Sequence, residues 1–118
     1  MKNWKTILVK PTDDLKKIIQ KISKSGLRGV IVVNKQRKLI GTITDGDYRN
    51  KLMNMDKKKI FAKDIMNKKP LYTFNKESDS ERKKKLISKS IFFLPILNKK
   101  KQVIGIDYFL KYIDKKRD

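Results

Sequence analysis

Thr44 and Asp47 stand three residues apart in the stretch GTITDGDYRNKLM (residues 41–53), a hydroxyl and a carboxylate where an apolar run gives way to a helical one. Such a pair supports three kinds of chemistry. Thr44 or Asp45 can cap a helix, with Asp47 a first-turn carboxylate favoured by the helix dipole. Asp45 and Asp47 could bind a metal or act as a catalytic pair, but positions i and i+2 of a helix point apart and no third carboxylate adjoins them. Finally, a helix start with a hydroxyl and a glycine, Gly46, can receive a phosphate while a carboxylate one turn on accepts from vicinal ribose hydroxyls. Arg49 and Lys51 are close enough in sequence to add positive charge.

Composition narrows the field. The chain has 118 residues, no histidine and no cysteine. That argues against disulfides, thiol nucleophiles, zinc sites of the usual kind and imidazole acid–base chemistry. The expectation is therefore no catalytic residue, no metal and no resident cofactor. Hydrophobic residues make up 38%, enough for one domain or two small halves sharing one core. No apolar run reaches the roughly 18 residues of a membrane span, and the N-terminal one is too short for a signal peptide. A cytoplasmic location follows by default. The net charge is +20, carried by 27 lysines and only 5 arginines. The lysines are scattered in short runs suited to loops and helix surfaces, and bidentate recognition of phosphates or bases leans on arginine. Direct nucleic-acid binding is accordingly not expected.

The elements that hold Thr44 and Asp47 recur. Shifted by 64 residues, RGVIVVNKQRKLIGT (28–42) falls on FFLPILNKKKQVIGI (92–106), with Asn34 over Asn98 and Gly41 over Gly105. Each piece reads as strand, polar turn, strand. Upstream, TILVKP (6–11) overlies PLYTFN (70–75), a further short strand. Between them TDDLKKIIQKISKSG (12–26) places Leu15, Ile18, Ile19 and Ile22 at helical spacing, with Thr12 or Asp13 to cap and Gly26 to end the helix. The second copy has Asp79, Arg82 and Lys83 at three of those places, so its helix should be short or loosely docked. DGDYRNKLM (45–53) and DYFLKYID (107–114) each begin a last helix, and AKDIMNKKP (62–70) offers one turn. The prediction is an α/β (α+β) fold of two pseudo-symmetric β-α-β-β-α repeats, 1–60 and 61–118, packed face to face.

A duplicated unit of this kind resembles the CBS domain, and two in tandem resemble a CBS pair, or Bateman module. The stretches that carry the likeness are Gly41 to Asp47, FLPILN in the second copy and DIMNKKP between them. WKTILVKP, GVIVVN and LIGTITDGDYRN also resemble the CBS pairs fused ahead of bacterial sugar-phosphate nucleotidyltransferases. The resemblance implies a non-catalytic regulatory module that binds an adenine nucleotide such as AMP, ADP or ATP and controls an attached or associated enzyme. It further implies that Thr44 faces phosphate, that Asp47 takes the ribose hydroxyls, and that the base lies near Ile7, Val9, Arg28, Gly29 and Val30. In the second copy Tyr108 and Lys111 stand at the places of Thr44 and Asp47, so one site per chain is expected.

Two rival readings use the same residues: a dimerising interaction domain without ligand, and an accessory that binds polyanions. A homodimer is expected through the helices after Gly41 and Gly105 or through the first helices, using Leu52, Met53, Phe109 and Tyr112. Trp4 is expected as a core or interface anchor, IFFLPIL (91–97) as a buried strand, and Met53, Met55 and Met66 as fillers between helices.

Overall fold

The 64-residue repeat reappears as two sheets of identical strand order and register. The structure, a computed structural model, describes residues 3–53 and 59–114; Met55 lies outside them. A 3₁₀ turn (Trp4–Ile7) leads into β1 (Leu8–Val9), α1 (Leu15–Ser25), β2 (Gly29–Val33), β3 (Leu39–Thr44) and α2 (Asp45–Leu52). A single turn, α3 (Ala62–Ile65), precedes β4 (Thr73–Phe74), α4 (Asp79–Ser88), β5 (Phe93–Leu97), β6 (Val103–Tyr108) and α5 (Phe109–Asp114). In each sheet the first strand runs parallel to the middle one and the third antiparallel. Val9 faces Val32 where Thr73 faces Ile96, and Gly29 faces Thr44 where Phe93 faces Tyr108. The fold is mixed α+β.

Local chemistry explains the elements. Asp14, rather than Thr12 or Asp13, caps α1 by accepting from the Lys17 N–H at 3.0 Å, and Gly26 ends it in the left-handed region at φ 69°. Both hairpins turn on an asparagine. Asn34 Oδ1 accepts from the N–H groups of Gln36 and Lys38, and Asn98 Oδ1 from those of Lys100 and Gln102. Arg37 and Lys101 then take matching positive φ values of 61° and 63°.

Helix α4 is ten residues long, not short, although only Leu86 is buried on it. Its docking is polar. Arg82, at the place of Ile18, donates to Thr73 Oγ1 and to the Phe74 carbonyl at 3.0 Å. Lys85 pairs with Glu77 at 2.9 Å, and that bond holds the Glu77 carboxyl below its usual range.

Alternation along β2 divides the interior. Val30 and Val32 pack with Ile18, Ile22, Ile43 and the linker residues Ile60, Ala62 and Ile65. Ile31 and Val33 face the other way, into a cluster that takes Ile7 and Leu27 from the first half and Phe93, Leu97 and Val103 from the second. A smaller cluster of Leu86, Leu94 and Tyr112 lies behind the second sheet. The two halves thus share a core, as expected, with a private cluster behind each sheet. The hairpins also join directly. Leu39 N–H donates to the Lys101 carbonyl and Val103 N–H to that of Arg37.

Several expectations need correction. Asp107 is the penultimate residue of β6 and buried, not a helix-start carboxylate, and α5 begins only at Phe109. Leu52 and Tyr112 turn inward, whereas Met53 is 85% exposed and fills no gap. Phe92 precedes its strand and is part-exposed. Trp4 packs on the shared core, and Met66 on the cluster under α1.

The shared core leaves no room at Gly29. A Cβ there would stand 2.4 Å from the Phe93 ring and 2.8 Å from the Ile43 carbonyl oxygen, whereas one at Gly105 meets only Ile96 at 3.5 Å. Gly29→Ala should therefore cost about 1–3 kcal/mol through overpacking, and Gly105→Ala should cost almost nothing. Urea unfolding of the two variants checks the contrast.

Candidate functional site

Strand β3 ends and helix α2 begins at Thr44, and the joint is closed by reciprocal hydrogen bonds. Thr44 Oγ1 accepts from the Asp47 N–H at 3.2 Å, while Asp47 Oδ2 accepts from the Thr44 N–H at 3.0 Å. This is a capping box with aspartate in the third helical position. The Asp45 N–H donates to the Arg28 carbonyl. Of the first three N–H groups in the helix, Gly46's therefore remains for an anion. A Cβ on Gly46 would meet nothing nearer than Thr44 Oγ1 at 3.8 Å, so the ground above the helix start is open.

That ground is a cleft of about 430 Å³ between the two halves. Thr42, Thr44, Asp45, Gly46, Asp47 and Arg49 line one side, with Leu27 and Arg28 at the mouth of β2. Ser90, Ile91, Phe92 and Phe93, leading into β5, line the other, and Asn67 and Leu71 from the linker close it. Asn67 is held beside β3 by a pair of backbone bonds with Thr42. Two guanidinium groups supply positive charge. Arg28 sits in the left-handed region at φ 60° with its guanidinium 4.7 Å from the Phe92 ring centre. Arg49 Nε donates to the Asp45 carbonyl.

Of the residues singled out in the sequence, Thr44, Asp47, Arg49 and Arg28 meet in this cleft; Ile7, Val9, Gly29 and Val30 do not line it. Ile7 is in the shared core, Val9 and Val30 pack under α1, and Gly29 is covered by Phe93. The second half's contribution, Ser90 to Phe93, was missed. The repeat itself carried the signal, since face-to-face packing of two copies brings the lead-in of β5 opposite the end of β3.

At the equivalent place in the second half the chain satisfies itself. Asp107 is 1% exposed and accepts from the Tyr112 hydroxyl. Lys111 Nζ lies 3.4 Å from both Asp107 and Asp79. A buried carboxylate needs such partners, because unpaired it would cost several kcal/mol, on the order of the ~3–5 measured when one partner of a buried pair is removed. Lys111, standing where Asp47 stands in the first half, is committed to ion pairs. Among the described residues no helix is long and apolar enough to cross a membrane, and no three His, Cys, Asp or Glu side chains gather as metal ligands.

Residues 3–54 match the family model for the CBS domain. An uncharacterised protein of Methanopyrus kandleri is 31% identical over 99 residues, which cover 81% of this chain and 50% of that protein, so the chain spans about half its length. Among solved structures, the CBS domain protein NE2398 superposes with a TM-score of 0.81 at 22% identity, over 95% of this chain and 88% of its own. CBSX2, solved in complex with AMP, gives 0.75 at 18% identity, over 94% and 89%. At these identities the structural likeness speaks for the fold.

Burial, then the bond and charge of Asp107, push the Tyr112 hydroxyl far above its ordinary value. A raised folded-state value stabilises the fold below the unfolded value, near 10, and that stabilisation fades as the pH climbs past it. An ultraviolet titration should find one of the four tyrosines un-ionised until the protein unfolds, and Tyr112→Phe should remove that late step.

Proposed function

We propose that this protein is a non-catalytic regulatory module whose cleft binds an adenine nucleotide; residues 3–54 match the CBS-domain family model and the whole chain has the fold of solved CBS-domain proteins. One observation carries the reading: the segment matched to the family places Thr44, Gly46 and Asp47 at a helix start lining a cleft of about 430 Å³. CBSX2, which shares the fold, was solved with AMP. In this reading the phosphate meets the Gly46 N–H, the Thr44 hydroxyl and the guanidinium groups of Arg28 and Arg49. Asp47 accepts from the ribose hydroxyls, and the base lies among the apolar residues of the opposite wall.

Residues 1–60 and 61–118 serve as its two repeats, in the cytoplasm, controlling an attached or associated enzyme, for which the sequence resemblance points to a sugar-phosphate nucleotidyltransferase. A homodimer through α2 suits this role. Met53 is exposed there, and Asp45, Asp47, Arg49 and Lys51 give the helix balanced charge, so a two-fold contact need not oppose like charges. The rival, an interaction domain without ligand, predicts no nucleotide response.

Calorimetry with AMP decides. One nucleotide per chain is expected. Asp47→Ala should weaken binding roughly ten-fold or more, the equivalent of about 1–3 kcal/mol for unpaired ribose hydroxyls. Because that change also removes part of the cap, Gly46→Leu serves as a second test. It should block the cleft without loss of stability, since leucine favours the helix over glycine by roughly 1 kcal/mol. Lys111→Ala should lower stability but leave binding by the folded protein unchanged. Two nucleotides per chain, or parental affinity in both cleft variants, would remove the assignment.

A further inference from the structure

The two β-hairpins end side by side, and the bonds between them obey the 64-residue repeat. Leu39 N–H donates to the Lys101 carbonyl at 3.1 Å, and Val103 N–H donates to that of Arg37 at 2.9 Å. The Gln102 side chain donates to the Gln36 carbonyl, and Lys38 and Gln102 pair as an isolated bridge. Joined in this way, the turns display Lys35, Arg37, Lys38, Lys99, Lys100 and Lys101, all exposed. Lys68 and Lys69 of the linker are exposed too, and share with Lys101 the rim of a hollow of about 340 Å³. Lysines scattered along the sequence argue against nucleic-acid binding, but the fold gathers three of their groups at one edge.

That edge has no balancing acid. No Asp or Glu occurs in residues 34–44, 65–76 or 97–106. None of these cations has an ion pair among the described residues, whereas Lys17, Arg82, Lys85 and Lys111 all do. Like charges crowded on one edge repel one another, and a ligand that supplies the missing anions relieves the repulsion. Both turns also place a cation in the left-handed region, Arg37 at φ 61° and Lys101 at φ 63°, where glycine would sit without strain. Charge stands there at a backbone cost.

The hollow points to the class of anion. Leu39, Pro70 and Tyr72 wall it, and Phe74 braces Tyr72 edge-to-face with ring centres 5.3 Å apart. Such walls under a lysine rim suit a flat apolar group that carries an anion. Every cation here except Arg37 is a lysine. Lysine holds phosphate as a point charge, whereas carboxylate recognition draws on the arginine fork. A membrane offers charge but nothing flat for the hollow, and the bases of a duplex are stacked out of reach. We infer that this edge binds single-stranded nucleic acid, its phosphates on the lysines and one base in the hollow against Tyr72. The hollow shares no lining residue with the cleft, so the site stands whether or not the cleft takes a nucleotide.

A labelled oligothymidylate is titrated with the full chain by fluorescence anisotropy, beside an abasic strand and a duplex of the same length and labelled polyglutamate. Vesicles of phosphatidylserine and phosphatidylcholine are tested by cosedimentation. Oligothymidylate should bind, and the abasic strand and the duplex roughly ten-fold more weakly. Lys68→Gln, Lys69→Gln and Lys100→Gln together, at exposed sites outside the left-handed turn positions, should weaken binding roughly ten-fold or more. The same triple should lower the slope of log affinity against log salt by about two, at ~0.7 for each lost phosphate contact. Lys16→Gln, Lys24→Gln and Lys84→Gln remove equal charge from exposed sites on α1 and α4. At moderate salt they should leave affinity within about two-fold, because exposed charges far from the strand are screened. Equal losses in the two triples would mean attraction to the net charge alone and would overturn the site. So would equal binding of the abasic strand or the duplex, or tighter binding of polyglutamate or vesicles, each naming another occupant. Saturating AMP should leave the oligonucleotide in place; displacement by AMP would put the strand in the cleft and end the proposal.

Discussion

Strands β2 and β5 are buried on both faces, and the rest of the structure follows from that. Val30 and Val32 require a helix on one side, and Ile31 and Val33 require the other half of the molecule on the opposite side. Neither half could leave the other without exposing the row that includes Ile7, Ile31, Phe93 and Leu97, at roughly 1.5–3 kcal/mol for each large side chain. The chain gains one interior from two units too small to stand alone. The cleft is a by-product of the same packing. Where the middle strands enter their sheets, residues 27–28 and 90–92 line a gap, and the end of β3 opens into it. Phe93 packs against Gly29, and the cleft begins one residue before that glycine.

Much of this was legible because hydrophobic period and turn chemistry are local. The alternating apolar runs, the two asparagine-led hairpins, the glycine at the end of α1 and the one-turn helix before Pro70 are all written in short stretches of sequence. What could not be read is the three-dimensional consequence of a polar substitution. Arg82 at a core position of α4 looked like weakened docking, yet its guanidinium reaches a strand-end carbonyl and replaces burial with hydrogen bonds. Asp107 looked like a helix-start carboxylate, and only the pairing of β5 with β6 shows that it belongs to a strand and points inward to Tyr112. In both cases the partner is remote in sequence or hidden by one residue of strand register, and periodicity carries no information about either. The site divides in the same way. The cap at Thr44 and Asp47 is local and was found; the wall from Ser90 to Phe93 is tertiary and was not.

Duplication has left two copies of one scaffold performing different physical tasks. At the end of β3, hydrogen-bonding groups surround open space; at the end of β6, Lys111, Asp79, Asp107 and Tyr112 satisfy one another.

Capping and ligand binding need not compete for Thr44 and Asp47, because they draw on different atoms. Thr44 Oγ1 accepts from the Asp47 N–H, and a hydroxyl that accepts still has its proton to donate. The Asp47 Oδ2 atom is taken by the Thr44 N–H, and among the described residues Oδ1 keeps both of its lone-pair sites. The box therefore fixes both rotamers before any ligand arrives, holding a donor and an acceptor at the edge of the cleft without the side-chain ordering cost, roughly 0.5–1.5 kcal/mol per side chain, that binding would otherwise incur. The cap is what makes a ligand site here physically economical. The second half shows the converse: with tyrosine and lysine at these two places, neither half of the box can form, and the strand end is closed instead by an internal ion pair.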